Sequence, residues 1–158
     1  MSQTTLERIR NHLKAAGIDF REVHHQPTRT SEESAAARGE ALNVGAKALL
    51  LKTDDVFQLF VLPADRKLDS TAIRRQLGVR KTRFASVEEL HDMVGLVPGA
   101  VPPFGEPILP FNLYADESLG TQTNKVAFNA GSLTDSIIMA ASDWAAIARP
   151  KRFRFSKE

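Results

Sequence analysis

Lys47 is the first residue in this chain whose surroundings could give it chemistry. It stands within Gly45-Ala46-Lys47-Ala48-Leu49-Leu50-Leu51, an apolar run with strand character. Alternation along a strand puts it on the face that carries Leu49 and Leu51. An ammonium on an apolar face loses hydration unless it finds partners or water. It can snorkel, its stem covering the sheet edge and its head in solvent. It can also hang over a pocket and bind a carbonyl or an anionic intermediate. The second candidate is Gly95-Leu96-Val97-Pro98-Gly99-Ala100-Val101-Pro102-Pro103-Phe104-Gly105. Glycine lets a backbone approach a ligand and proline stiffens its neighbours. A rigid loop with exposed amides suits an oxyanion site, and equally a sharp structural turn. The third is Asn129-Ala130-Gly131-Ser132, where Asn129 can both donate and accept. Turn chemistry alone accounts for that segment equally well.

Other chemistries find no support. His24 and His25 are adjacent, so on a strand they point to opposite faces and chelate poorly. There is no cysteine and no HExxH or HxH spacing, so neither a metal site nor a cofactor is expected. A P-loop, a GxGxxG motif and a GxSxG elbow are all missing.

The elements that must position these residues follow from local signals. Thr4 with Glu7 forms a capping box before Leu6, Ile9 and Leu13, and Gly17 stops that helix. Asp19 to His24 reads as a strand. Thr30 with Glu33 opens an Ala-rich helix that ends at Gly39. Ala46 to Leu51 reads as a strand buried on both faces, returning through Asp54-Asp55 as Val56 to Leu62. Asp69 or Ser70 caps a helix closed by Gly78, and a strand near Arg80 to Ala85 follows. Ser86 with Glu89 caps the next helix, which ends near Gly95. Leu96 to Pro110 contains five prolines and two glycines, too many for a helix or a central strand. Asn112 to Ala115, Lys125 to Asn129 and Ser136 to Ala141 read as strands, and Ser142-Asp143 caps a last helix. Five to seven strands and four or five helices in mixed order point to a mixed α/β sandwich or open barrel.

The chain has 158 residues, the size of one domain, and residues 1–158 are read as one. With 42 % apolar and 25 % charged residues it has the make-up of a soluble globular protein. No apolar run approaches the ~18–20 residues of a membrane span. The start, MSQTTLERIR, lacks the apolar core of a secretory signal. Absence of cysteine fits a cytoplasmic location. The net charge of +2 excludes a strong overall field for nucleic acid but not a local patch. Arg74, Arg75, Arg80, Lys81 and Arg83 form one basic cluster, and Lys151, Arg152, Arg154 and Lys157 another. Each reads as a solvated face by default, and phosphate contact needs both on one side of the fold. Nothing in the sequence specifies an oligomeric state.

Together these pieces resemble the YbaK/prolyl-tRNA synthetase editing-domain family. The matching pieces are His25 with Thr30 and Glu33, the Lys47 strand, Leu62 to Asp69, the Gly95–Gly105 loop, Phe128-Asn129-Ala130-Gly131 and Ser136 to Met139. They span roughly residues 20 to 148. The resemblance implies a mixed α/β fold with a strongly curved, barrel-like sheet flanked by helices. It implies a metal-independent hydrolase that removes a wrong amino acid from the tRNA 3′ end, with a tRNA ribose hydroxyl helping to position water. Lys47 and Gly99 would carry the reaction. Pro98, Ala100, Val101, Pro103, Phe104, Gly105, Asn129, Gly131, His25 and Thr30 would line the substrate side. The partners would be the acceptor end of aminoacyl-tRNA and a synthetase, with no membrane. The cysteine-acting branches of the family carry a glycine-doubled loop, and some alanine-acting ones a histidine after the strand. Neither is present, so serine or threonine is the first expectation, ahead of alanine. The alternative is a non-catalytic tRNA- or synthetase-binding module of the same fold.

Overall fold

In the computed structural model, which describes residues 3–158, local capping signals set most helix boundaries. Met1 and Ser2, the start of the stretch read against a secretory signal, lie outside the described residues. Helix α1 (Thr5–Ala15) starts at a reciprocal capping box between Thr4 and Glu7. Strand β1 (Phe20–His24) follows. Helix α2 (Ser31–Arg38) is capped by Thr30, which accepts from the Glu33 amide, although Glu33 does not return the bond. Strands β2 (Ala46–Thr53) and β3 (Val56–Pro63) form the expected hairpin. Strand β4 (Lys67–Leu68) leads to helix α3 (Ser70–Leu77), capped by Asp69. Strand β5 (Thr82–Phe84) and helix α4 (Val87–Val94) follow, the latter with a full capping box at Ser86 and Glu89. The proline-rich stretch holds no helix or strand up to β6 (Leu113–Asp116). Strands β7 (Lys125–Asn129) and β8 (Asp135–Ala140), helix α5 (Ala141–Ala148), and strands β9 (Lys151–Phe153) and β10 (Ser156–Lys157) complete the order.

One cap expectation needs correction. Helix α5 is not capped by Ser142-Asp143. Strand β8 runs straight into it, Ala140 stands at the cap without a side-chain bond, and the Ala141 amide is already satisfied by the Asn124 carbonyl. The mixed α/β layering is as expected, and the strands stay in open sheets. Strands β5-β2-β3-β6-β9 form one sheet, β1-β8-β7 a second, and β10-β4 a two-stranded clasp. The short strands β4, β9 and β10 escape sequence reading because two or three residues carry no period.

The two larger sheets pack face to face. Leu50, Leu59, Val61 and Ala115 of the five-stranded sheet share one core with Phe128, Ile137 and Met139 of the three-stranded sheet. Across the five-stranded sheet, Leu51, Phe60 and Tyr114 pack with Ile73 of α3 and Phe155 of the tail. A parallel bridge between Gly45 and Ala127 joins the two sheets where β2 begins. Among the described residues no helix is long and apolar enough to cross a membrane.

Candidate active site

A cavity of about 210 Å³ opens where α2, the start of β2, the proline-rich loop and the end of β7 converge. It explains why the first half of β2 is not buried on both faces: Lys47, Ala48 and Leu49 are only half-buried because they line it. Lys47 donates from Nζ to the Arg66 carbonyl at 3.1 Å. Burial lowers its pKa, and the negative charges of Glu32 and Asp65 oppose that shift. The ammonium is therefore held by one backbone acceptor beside a cavity, with hydrogens left to donate.

The loop reaches the same cavity through a turn. Val97-Pro98-Gly99-Ala100 closes with the Ala100 amide on the Val97 carbonyl at 3.1 Å, and Gly99 has φ +88°. Proline then glycine at the two central positions is the signature of a type II turn, which needs positive φ at the second. The end of β7 fixes this turn in space. Asn129 donates from Nδ2 to the Gly99 carbonyl at 2.8 Å, and the Gly131 amide donates to the Ala100 carbonyl at 2.9 Å. Among the described residues the Gly99 and Val101 amides donate to no protein acceptor, and both residues line the cavity.

Lys47, Gly99, Val101, Asn129 and Thr30 are thus brought together around one cavity. The other expected residues lie behind or beside it. Ala100, Pro103, Phe104 and Gly105 are buried and scaffold the loop. Trp144 donates to the Pro103 carbonyl at 3.0 Å, and the Phe104 ring sits edge-on to Phe128. A Cβ on Gly105 would stand 2.7 Å from the Phe111 carbonyl oxygen. Pro98 is exposed on the turn. Gly131, at φ +80°, lets Thr5 of α1 pack against it, since a Cβ there would lie 2.7 Å from the Thr5 Cβ. His25 reaches the site at one remove, with Nε2 2.9 Å from the Ser136 hydroxyl and Nδ1 2.8 Å from the Gln26 carbonyl.

Sequence reading missed Arg38, Ser34 and Thr28. Arg38 donates from Nε to the Ser136 hydroxyl at 3.0 Å and from Nη2 to the Asn129 Oδ1 at 3.1 Å. It is buried and lines the cavity, and burial lowers its pKa to about 10, so it stays cationic at neutral pH. The Thr28 and Ser34 hydroxyls, also on the cavity wall, stand 2.7 Å apart. The available signal was the i, i+4 spacing of Ser34 and Arg38, which puts both on one helix face.

The aminoacyl-tRNA editing domain family matches this chain over residues 25–147. The chain belongs to that family. Among relatives, it is 36 % identical over 158 residues to a multifunctional Ser/Thr-tRNA deacylase, ProXp-y, of Escherichia coli K12, covering 97 % of this chain and 93 % of that one. It is 35 % identical over 88 residues to a proline–tRNA ligase of Shouchella clausii, covering 56 % of this chain and 15 % of the ligase. Its fold matches a crystal structure described as a candidate trans-editing enzyme for prolyl-tRNA synthetase, with TM-score 0.84, 23 % identity and full coverage of both chains.

Among the described residues of this editing domain, no three His, Cys, Asp or Glu side chains gather to hold a metal. The two basic clusters approach each other at α3, which carries Arg74 and Arg75 and whose cap Asp69 pairs with Arg154. Arg83 lies on β5 and Arg152 on β9, at opposite edges of the five-stranded sheet with three strands between them. Strand spacing puts those edges roughly 19 Å apart. Several of these cations already serve the fold: Arg83 pairs with Glu89, Arg154 with Asp69, and Arg152 donates to the Asp116 and Leu119 carbonyls.

Proposed function

We propose that this editing domain hydrolyses the ester of mischarged seryl- or threonyl-tRNA, acting in trans as a single domain in the cytoplasm. The observation that carries this reading is that Lys47 lines one cavity with Gly99 and Val101, whose amides donate to no protein acceptor among the described residues, beside a turn that Asn129 bonds. Fixed donors around a small cavity suit the charge that develops when water attacks an ester. Water bonds to the ester carbonyl carbon and loses a proton, and the carbonyl electron pair becomes the oxyanion. Lys47 and the Gly99 and Val101 amides hold that oxygen. Collapse restores the carbonyl and breaks the bond to the ribose oxygen, which takes up a proton. A free amino acid and an uncharged 3′ end result. No protein nucleophile is used, and the neighbouring ribose hydroxyl of the tRNA assists the water.

Size and polarity support the choice of substrate. The Thr28 and Ser34 hydroxyls share one hydrogen bond, which leaves a second hydroxyl hydrogen free to meet a serine or threonine side chain. A site built to bond a hydroxyl rejects analogues that lack one more strongly than an apolar pocket rejects an added methylene. The ProXp-y relative acts on the same two charged tRNAs by its name.

A deacylation panel of Ser-, Thr-, Ala- and Cys-charged tRNA tests this. Serine and threonine should turn over fastest, and Lys47→Ala should lower the rate by about 10²–10³, the usual effect of deleting one oxyanion donor. A Lys47→Ala rate within a few-fold of wild type sinks the mechanism. No turnover across the panel, with tRNA binding retained, favours a binding module.

A further inference from the structure

We infer that Arg38 forms an anion subsite in the cavity, taking an anionic oxygen of the bound aminoacylated 3′ end through Nη1. The inference rests on reading the cavity as the editing site. A guanidinium offers five hydrogens in a fixed fork. Nε and Nη2 are taken by the Ser136 hydroxyl and the Asn129 carbonyl oxygen, both neutral. Among the described residues Arg38 forms no salt bridge, although it is only 8 % exposed. A buried charge without a counter-charge is costly unless something supplies one. Nη1 donates to no protein acceptor, yet no fully buried side-chain polar atom among the described residues lacks a partner, so Nη1 is not sealed in. It opens beside Gly45, where an added Cβ would lie 3.6 Å from it, and both residues line the cavity.

The charge of the ligand decides what meets it. The α-ammonium of the amino acid is repelled by Arg38. The anionic oxygens at a charged 3′ end are those of the phosphodiester 5′ to the terminal adenosine and the oxyanion of the tetrahedral intermediate. Both suit the charge-assisted donors of a guanidinium. The neutral partners at Nε and Nη2 orient the fork without neutralising it. Asn129 also links it to the Gly99 turn, so binding at Nη1 stiffens the loop that carries the free amides.

Calorimetry with a non-hydrolysable 3′-serylamido-adenosine, with and without a 5′-phosphate, separates the two sources when combined with kinetics on seryl-tRNA and a seryl ester of adenosine. The variants are Arg38→Gln, Arg38→Ala and Ser136→Ala, each checked for folding by circular dichroism. For a phosphate ligand, Arg38→Gln weakens the phosphorylated analogue tenfold or more and leaves the other unchanged. For the oxyanion, kcat falls at least tenfold on both substrates, and added guanidinium ion restores Arg38→Ala. Folded Arg38→Gln with binding and kcat within twofold of wild type overturns the subsite. So does a kcat loss that guanidinium does not restore and Ser136→Ala reproduces, because that marks packing alone. A wild type that binds the phosphorylated analogue through Arg38 but hydrolyses no substrate sinks the deacylase reading and leaves the subsite standing.

Discussion

At the scale of the residue, the site depends on groups whose positions are fixed by single partners. Gly99 is the sharpest case. Its φ of +88° is a region that side chains disfavour, and an added Cβ would stand 3.3 Å from Leu133 Cδ2. Gly99→Ala should therefore cost about 1–2 kcal/mol through backbone strain. That is a fall of roughly 2–8 °C in melting temperature for a chain of this size. It should lower deacylation further than the melting shift accounts for, since the turn that presents the free amides relaxes. An unchanged melting curve with full activity would show that the turn tolerates a side chain. Lys47 illustrates how a residue read alone misleads. Its stem and exposure fit a snorkelling lysine, and only its carbonyl partner and the cavity beside it distinguish the two readings.

At the scale of the element, the C-terminal tail holds the loop that holds Lys47. The Arg66 carbonyl accepts from Lys47, while its Nε donates to the Ser156 hydroxyl at 2.6 Å. Ser156 donates in turn to Asp116 at 2.8 Å, and the Phe155 amide donates to the same carboxylate at 2.7 Å. Strands β4 and β10 pair beside this chain of bonds. Burial pushes the Asp116 carboxyl up, but hydrogen bonds from Ser118, the Phe155 amide and Ser156 outweigh it and hold the pKa below the usual carboxylate value. A depressed folded pKa gives stability that is full above the unfolded value, about 3.9, and is lost as pH falls through the folded value. Melting temperature should thus fall on acidification below about pH 4, where a normal aspartate begins to protonate. Asp116→Asn should melt lower at neutral pH yet show a shallower acid decline, measured by thermal melts from pH 2 to 7. An equally steep decline assigns the acid limb to other carboxylates, such as Glu89, which Arg83 and the Ser86 amide hold near 2.

At the scale of the whole molecule, the site lies where two sheets meet through the Gly45–Ala127 bridge. Arg83 and Arg152 sit at opposite edges of the larger sheet, while α3, which carries Arg74 and Arg75, starts at Asp69, the partner of Arg154. If phosphate contacts hold the tRNA, kcat/KM for seryl-tRNA should fall as salt rises, because counterion release drives such binding. The seryl ester of adenosine, with no phosphate, should be hydrolysed at a rate nearly independent of salt. Equal salt response of the two substrates contradicts tRNA recognition by charge.

Much of this architecture is local, and so legible in order of residues. The caps at Thr4, Asp69 and Ser86 bond to amides three residues ahead, and Gly39, Gly78 and Gly95 end helices by positive φ. The hairpin around Asp54-Asp55 and the proline-rich loop follow from the same short-range rules. Even the order of Lys47, Gly99 and Asn129 can be read without coordinates, because each sits in a segment with its own pattern. The partners of Arg38 cannot. Asn129 and Ser136 are 91 and 98 residues away, and a guanidinium is buried only where distant chain supplies its acceptors. The same holds for Asp116, whose partners arrive with the tail, and for the arrangement of the strands into two open sheets. Period and capping act within a few residues, whereas charge burial and the cavity at the sheet junction depend on which remote segments pack together.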